Sequence, residues 1–364
     1  MAPKSLPVLR FRDYLRDRRQ APYAKLTAMT ICVRLTVLLA VVLLLPTPAA
    51  SQSFDTVGTR AAGMSGAFVA VSDDASAVYW NPAGFAAGSY FSLVLDWGVG
   101  ETDTAVDEPA GSRSGWMLAL GMPALGLSYY RLRSTALEPL VSIDGSSGSR
   151  NFTDEVQVRS LVSHHVGSTL VQSILPGLAV GATLKLVRGV AASEIGTPTD
   201  RESVLDGEGL SSKGTNRFDV DLGVMATSRW VKAGLTVRNV SEPDFATPGG
   251  DELTLERQAR AGVALLPLPG WTLAADVDLL ENHGVTGIEG RDMAIGAEGR
   301  VWRRAFVRAG TRFALDADGP GGRRSSTSFG GSFAVMASVL VDAQVTTGSK
   351  WAPRGWGLAA RFVY

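Results

Sequence analysis

From Ser89 to the C-terminus, segment after segment of this chain alternates apolar residues with small or polar ones for about ten positions. That pattern constrains the fold more than any motif does. A strand turns successive side chains to opposite faces, so a period of two marks a sheet with two different environments on its two sides. In 89–97, Phe91, Leu93, Leu95 and Trp97 share one face, while Tyr90, Ser92, Val94 and Asp96 share the other. In 217–228, Phe218, Val220, Leu222 and Val224 oppose Arg217, Asp219, Asp221, Gly223 and Met225. The last segment sets Trp356, Leu358, Ala360, Phe362 and Tyr364 against Gly355, Gly357, Ala359 and Arg361. Fourteen strands are predicted, at 89–97, 114–122, 125–133, 156–168, 178–188, 217–228, 230–240, 254–265, 271–280, 292–301, 303–314, 325–334, 337–347 and 355–364.

The connections alternate between long and short. Long ones fall at 98–113, 134–155, 189–216, 241–253, 281–291, 315–324 and 348–354; short ones include Pro123-Ala124 and Pro267-Leu-Pro-Gly270. An even number of strands, brief turns at one end and longer loops at the other describe a bacterial outer-membrane barrel. A soluble β-sandwich also alternates, but it buries bulky apolar residues between two sheets. Here the face opposite the apolar one is rich in Gly and in charge. The apolar faces also run for about 9–11 residues, the span of a tilted strand through a bilayer. The fold class is therefore all-β, a 14-stranded antiparallel transmembrane barrel over 89–364.

Its inward face carries charges of both signs on neighbouring strands. Lys185 is expected beside Asp219 and Asp221, and these beside Lys232 and Arg238; Glu256 and Arg260 are expected to face Asp276 and Asp278, followed by Glu298, Arg300, Arg308 and Arg312. A selectivity ring would want one sign, so the mixture predicts a salt-bridge lattice filling part of the lumen. Tyr90, Tyr130, Met225 and Phe306 are the lumen-facing candidates for an apolar pocket.

Ahead of the strands, Leu35 to Leu45 is an uncharged apolar run followed by Pro46-Thr-Pro-Ala-Ala-Ser51, the pattern of a secretory signal peptide cleaved near Ser51-Gln52. Eleven apolar residues are too few to span a bilayer. Residues 1–28 are arginine-rich, and Met29 is an alternative start. Removing 1–51 leaves 27 basic and 33 acidic residues, a net charge of −6, and no cysteine, since Cys32 lies in the leader. An acidic chain with so little charge excludes a nucleic-acid partner. An exported chain without disulfides is held by another device, and a closed hydrogen-bonded barrel is one.

Between leader and first strand lies a segment, 52–88, of a different character. It contains Gly63-Met-Ser-Gly66-Ala-Phe68, then Asp73-Asp74-Ala-Ser76, then Asn81-Pro82-Ala-Gly84. Glycines permit close backbone approach, and Ser72 or Asp73 is placed to cap a helical turn over 74–80 that Asn81-Pro82 must end. A plain turn leading into the first strand is the simpler alternative. This gapped set closely resembles the FadL/TodX-type outer-membrane transporters, and most of all their shorter PorV/PorQ-like branch. Gly181-Ala-Thr-Leu-Lys185, Asp219-Val-Asp-Leu-Gly223 and Arg238-Asn-Val240 also look like that branch. The resemblance implies that 52–88 folds into the barrel as a plug. It implies passage of hydrophobic molecules in FadL-like members and service to a protein-secretion apparatus in PorV-like ones. Hydrophobic small molecules or secreted-protein cargo are thus the expected partners, besides outer-membrane lipid. Phe362 and Tyr364 resemble the C-terminal signal read by the barrel-assembly machinery.

Catalytic chemistry has little to stand on. Gly63-Met-Ser65-Gly66-Ala67 lacks the closing glycine of a nucleophile elbow. His164 and His165 are neighbours on a strand and point to opposite faces, so they cannot chelate one metal. Asp316-Ala-Asp318-Gly319 begins like a calcium loop without its later ligands. Glu101, Asp103, Asp107 and Glu108 form an acidic loop. No cofactor, no metal and no enzymatic activity are expected.

Overall fold

The computed structural model describes residues 56–102, 110–143, 150–196, 214–283, 289–315, 324–349 and 352–364. The chain divides at Pro48/Ala49 into two units, of which the first, with the expected signal peptide and Cys32, lies outside the described residues. So do Asp316, Asp318 and Gly319, and Asp103, Asp107 and Glu108.

The second unit is a closed barrel of fourteen antiparallel strands. In chain order these are β1 (Ser92–Thr102), β2 (Ala110–Met122), β3 (Leu125–Ile143), β4 (Arg150–Leu175), β5 (Leu178–Gly196), β6 (Thr215–Thr227) and β7 (Val231–Arg238). The remainder are β8 (Gln258–Leu268), β9 (Trp271–Asp278), β10 (Asp292–Trp302), β11 (Ala305–Ala314), β12 (Ser325–Met336), β13 (Val339–Gly348) and β14 (Arg354–Val363). Each strand pairs with the next, and β1 closes on β14 in a register that sets Trp97 opposite Leu358. Backbone bonds between Phe91 and Tyr364 finish that seam. Closure leaves no unpaired sheet edge, which a strand in hydrocarbon could not tolerate.

Alternation explains which way the sheet faces. Leu95, Trp97, Leu118, Leu127, Leu184, Phe218, Val263, Phe329, Val341, Trp356 and Leu358 are exposed on the outside, while their neighbours in sequence are largely turned inward. An apolar belt of this extent on a chain's outer surface is a surface for lipid.

Two expectations about boundaries are corrected. The predicted loops 134–155 and 189–216 begin or end as strand: β3 continues to Ile143, β4 begins at Arg150 and β5 runs to Gly196, while 144–149 and 197–213 lie outside the described residues. Alternation stops before pairing does, because neither face needs to be apolar once a strand rises beyond the lipid. The predicted strand 254–265 begins at Gln258 instead. Glu252–Thr254 pairs with Asp244–Ala246 in a separate short hairpin, so Glu256 lies outside the barrel strands.

Candidate functional site

The segment Thr56 to Ala87 packs against inward-facing positions of the strands and is called the plug below. It holds two single-turn helices, α1 (Thr59–Ala62) and α2 (Ala77–Trp80), and a 3-10 turn over Pro82–Ala87. Its own core is Met64, Phe68, Val69, Tyr79, Trp80 and Phe85, all buried, with Phe68 edge-on to Trp80 at 5.8 Å. The chain can double back because Ser65 and Gly66 adopt positive φ, 54° and 84°. The cap of α2 differs from expectation. Neither Ser72 nor Asp73 caps it; Ser76 occupies the N-cap position, and its N–H donates at 3.0 Å to Asp74. Asn81 ends the helix in extended conformation, φ −161°, as a residue before proline must. Gly84 is required sterically, because a β-carbon there would collide with the carbonyl of Ser72.

Four polar contacts fix plug backbone to the wall. Asp276 on β9 accepts from Phe68 and Val69 N–H at 2.7 and 2.8 Å. Asp96 on β1 accepts from Thr59 N–H at 2.6 Å, and Ser92 accepts from Ala75 N–H at 3.0 Å. Asn81 donates to the carbonyls of Val69 and, on β6, Val224. The sequence places Asp96 and Asp276 on the inward face, but only the fold reveals that they serve as acceptors for plug N–H groups.

Charge completes the attachment. Arg60 of α1 reaches Asp73 at 2.6 Å, Asp74 at 2.9 Å and Glu298 on β10 at 2.7 Å. Arg308 on β11 joins Glu298 to Asp342 on β13, and Arg361 on β14 joins Asp342 back to Asp74. The result is a closed circuit of alternating charges that passes through plug and four strands. Burial opposes ionisation of Asp74, but Arg60, Arg361 and the Ser76 hydroxyl outweigh it and hold the carboxyl down at about 2. Burial likewise works against the charge on Arg60, yet Asp73, Glu298 and Asp74 raise its pKa well above the ordinary value.

A second cluster stands across the lumen. Lys185, only 1% exposed, lies 2.9 Å from Asp219 and 2.7 Å from Asp221. Arg238 approaches Asp221 at 3.8 Å and covers the ring of Tyr79 at 3.5 Å. Lys232 does not join it; the side chain turns to Asp73 of the plug at 3.8 Å. Arg260 pairs with Asp278 at 2.9 Å.

The apolar pocket does not sit where its predicted walls are. Tyr90 precedes β1 and is 74% exposed, because the strand that would have turned it inward starts only at Ser92. Phe306 is inward but lies at the short-turn end, beneath the Arg300 guanidinium at 5.7 Å. Tyr130 is stacked on His165 at 4.3 Å and edge-on to Tyr79, and Met225 packs on Ala83. All four positions are taken by packing or lost to solvent.

The open space is instead on the long-loop side of α1, against β1, β2 and β14. It is a cavity of about 150 Å³ bounded below by Thr56–Thr59 and Ala62 and walled by Asp96, Met117, Leu132, Gly98, Gly100, Gly115, Gly355 and Gly357. By register, Asp96 and Met117 form its deepest level, Gly98 and Gly115 the next, and Gly100 and Arg113 the one above. A β-carbon at Gly98 would meet only the Trp356 carbonyl oxygen, at 3.7 Å. Among the described residues no group of three His, Cys, Asp or Glu side chains is placed to hold a metal.

A closed 14-stranded antiparallel barrel, apolar outside, with its own N-terminal segment packed against the inner wall and a cavity beside α1, defines a transmembrane β-barrel fold. Residues 80–278, from the last residue of α2 to the last of β9, match the family described as F plasmid transfer operon, TraF, protein, and the chain belongs to that family. Among solved structures it shares its fold with the CymD monoaromatic hydrocarbon channel, at a TM-score of 0.59 and 14% identity over 86% of this chain and 99% of that one. A FadL homologue from Pseudomonas aeruginosa gives 0.58 and 12% over 86% and 100%, and the Pseudomonas putida toluene transporter TodX gives 0.55 and 13% over 86% and 99%. No curated protein sequence matches. The shared fold is that of the FadL/TodX-type channels named by the N-terminal motif; the family match is a different one from the PorV/PorQ-like branch.

Proposed function

We propose that this protein is an outer-membrane channel for small hydrophobic molecules, which it seats in the cavity above the plug before they pass on. The observation that carries the reading is the cavity itself. At about 150 Å³ it has the volume of a void that accepts benzene, and its floor is formed by the plug at Thr56–Thr59 and Ala62. The similar structures are those of a monoaromatic hydrocarbon channel and a toluene transporter, whose named ligands are of the same size. A monoaromatic molecule buries on the order of 150 Å², worth about 4 kcal/mol gross, from which the cost of association must be subtracted. That leaves weak binding, which suits a channel that must release what it admits.

In this reading the long connections face outward, both chain ends lie in the periplasm, and Phe362 and Tyr364 form the signal for assembly. The test is saturable uptake of radiolabelled toluene by proteoliposomes holding the full chain, compared with a Gly98→Leu variant whose side chain fills the cavity. Uptake by the wild type that is lost in the variant is expected. No uptake by either, or equal uptake by both, would overturn the proposal.

A further inference from the structure

The outer surface has one cationic row that the interior chemistry does not explain. On the lipid-facing side of three consecutive strands, Arg131 of β3 stands directly opposite His164 of β4, and His164 directly opposite Arg188 of β5. Two guanidinium groups flanking one imidazole leave positive charge without a counter-charge on this face, so a sheet does not gain stability from such a row by itself. Inside the barrel Lys185 and Arg308 each sit among acids. Among the described residues Arg131 and Arg188 have no acid at ion-pair distance. The apolar runs Leu125-Leu127-Tyr129, Leu170-Val166 and Leu184-Leu186 reach this row from below, Val162 and Val190 stand one position above it, and Arg188 lies ten residues above the turn that starts β5. At the tilt of a barrel strand that is roughly 25 Å, the height of the apolar band. The row is on the side of the long connections.

His164 is also held in one orientation. The Tyr129 hydroxyl lies 2.8 Å from Nδ1, and in the tautomer in which the phenol donates, the imidazole proton is on Nε2, facing outward. Trp116, opposite Arg131 in register, packs against the Tyr129 ring at 4.9 Å. Two guanidinium groups flanking an oriented N–H donor, at the boundary between hydrocarbon and water, complement a tetrahedral dianion.

We infer that the outer face of β3–β5 is a binding site for the phosphate of an outer-leaflet lipid, with Arg131 and Arg188 as its two forks and His164 as the donor between them. The inference rests on the outer-membrane orientation given above but not on the cavity or its ligand. It is tested with the full chain in detergent, by native mass spectrometry against diphosphoryl lipid A and the same lipid stripped of its phosphates. The wild type should retain the diphosphoryl form about tenfold better than the stripped form, and Arg131→Gln/Arg188→Gln should lose that difference. Arg304→Gln, a cation at a short turn, should keep it. Tyr129→Phe, which frees the imidazole without removing charge, should weaken retention a few-fold and serves if the double variant does not fold. Equal retention of the two lipids by the wild type, or full retention by the double variant, would overturn the site. Toluene uptake should be unchanged in the double variant, which separates failure of this site from failure of the channel reading.

Discussion

At Gly181, Gly223, Gly296 and Gly310 a β-carbon would run into the plug, whereas at Gly98 and Gly100 it would enter the cavity or meet only ordinary contacts. Gly181 faces the Pro82-Ala83 backbone at 2.5 Å, Gly223 faces the Asn81 side chain and Pro82, and Gly310 faces the Met64 backbone at 2.5 Å. These positions are bare so that another part of the chain can lie against the wall. Gly98 and Gly100 have nothing nearer than the carbonyls of Trp356 and Arg354. The same residue type on the same inward face thus makes a seat in one region and a vacancy in the other. The comparison teaches that the plug is held by shape and charge together around the wall, at the levels of Asp96 and Ser92 on β1 as on β5, β6 and β9–β11, and that the space left over above α1 is the candidate ligand site.

The sharpest way to break that division is to remove the charge circuit that holds the plug. Arg60→Ala leaves Asp74 and Glu298 buried with fewer partners, a change that typically costs about 3–5 kcal/mol. Plug amides over 57–87 should then exchange hydrogen far faster than barrel amides, and the channel should pass ions in a planar bilayer. A plug that stays protected would show that the glycine seats alone suffice.

A substitution at a seat tests shape without touching charge. Gly223→Ala forces the new methyl against Asn81 and Pro82, and overpacking of this kind costs about 1–3 kcal/mol. The same hydrogen-exchange measurement should show partial loosening, concentrated at 80–84 rather than at α1.

Acid probes the circuit from another direction. Asp74 has a pKa of about 2 in the folded chain and 3.8 as its ordinary value, so its contribution is complete above the ordinary value and disappears as pH falls through the folded one. The difference corresponds to about 2 kcal/mol. Plug protection should be flat from neutral pH to about 5 and decline between about 4 and 2; a decline already complete at pH 5 would implicate other groups.

These experiments bear on what the sequence could reveal. Period two made the strands, the inward parity of Asp219, Asp276, Glu298 and Arg308, and the opposed faces of His164 and His165 legible, because parity is a local property. The gapped Gly63…Gly84 motif marked a non-strand segment for the same reason. What parity cannot tell is which inward residue meets which part of the plug, since that depends on how a separate segment threads the closed barrel. Arg60, Asp342 and Arg361 therefore carry no local sign of belonging to one circuit, and Lys232, which parity sets beside Asp219 and Asp221, turns to Asp73 instead. Tyr90 stays outside because β1 starts three residues after the alternation does. The cavity was illegible for a further reason: part of its wall is glycine, which in sequence looks the same whether a neighbour or nothing fills the space.

Filling that space should have the smallest effect on stability and so isolates function. Gly98→Leu adds a side chain where its β-carbon has only van der Waals contact, and the cavity beyond has room for the rest. The strand is extended there, so a branched residue is accommodated by the backbone, and the change in plug or barrel stability should stay within about 0.5 kcal/mol. Toluene uptake, in contrast, should fall to background, because the added atoms take up most of a void that is about the size of one ligand. If Gly98→Leu instead loosened the plug as Gly223→Ala does, the two regions would not be distinct, and the wall of β1 and β14 would have to be counted as part of the seat. If stability and uptake both stayed at wild-type levels, the route for ligand would lie away from α1 and the glycine wall would be only a thin place in the barrel.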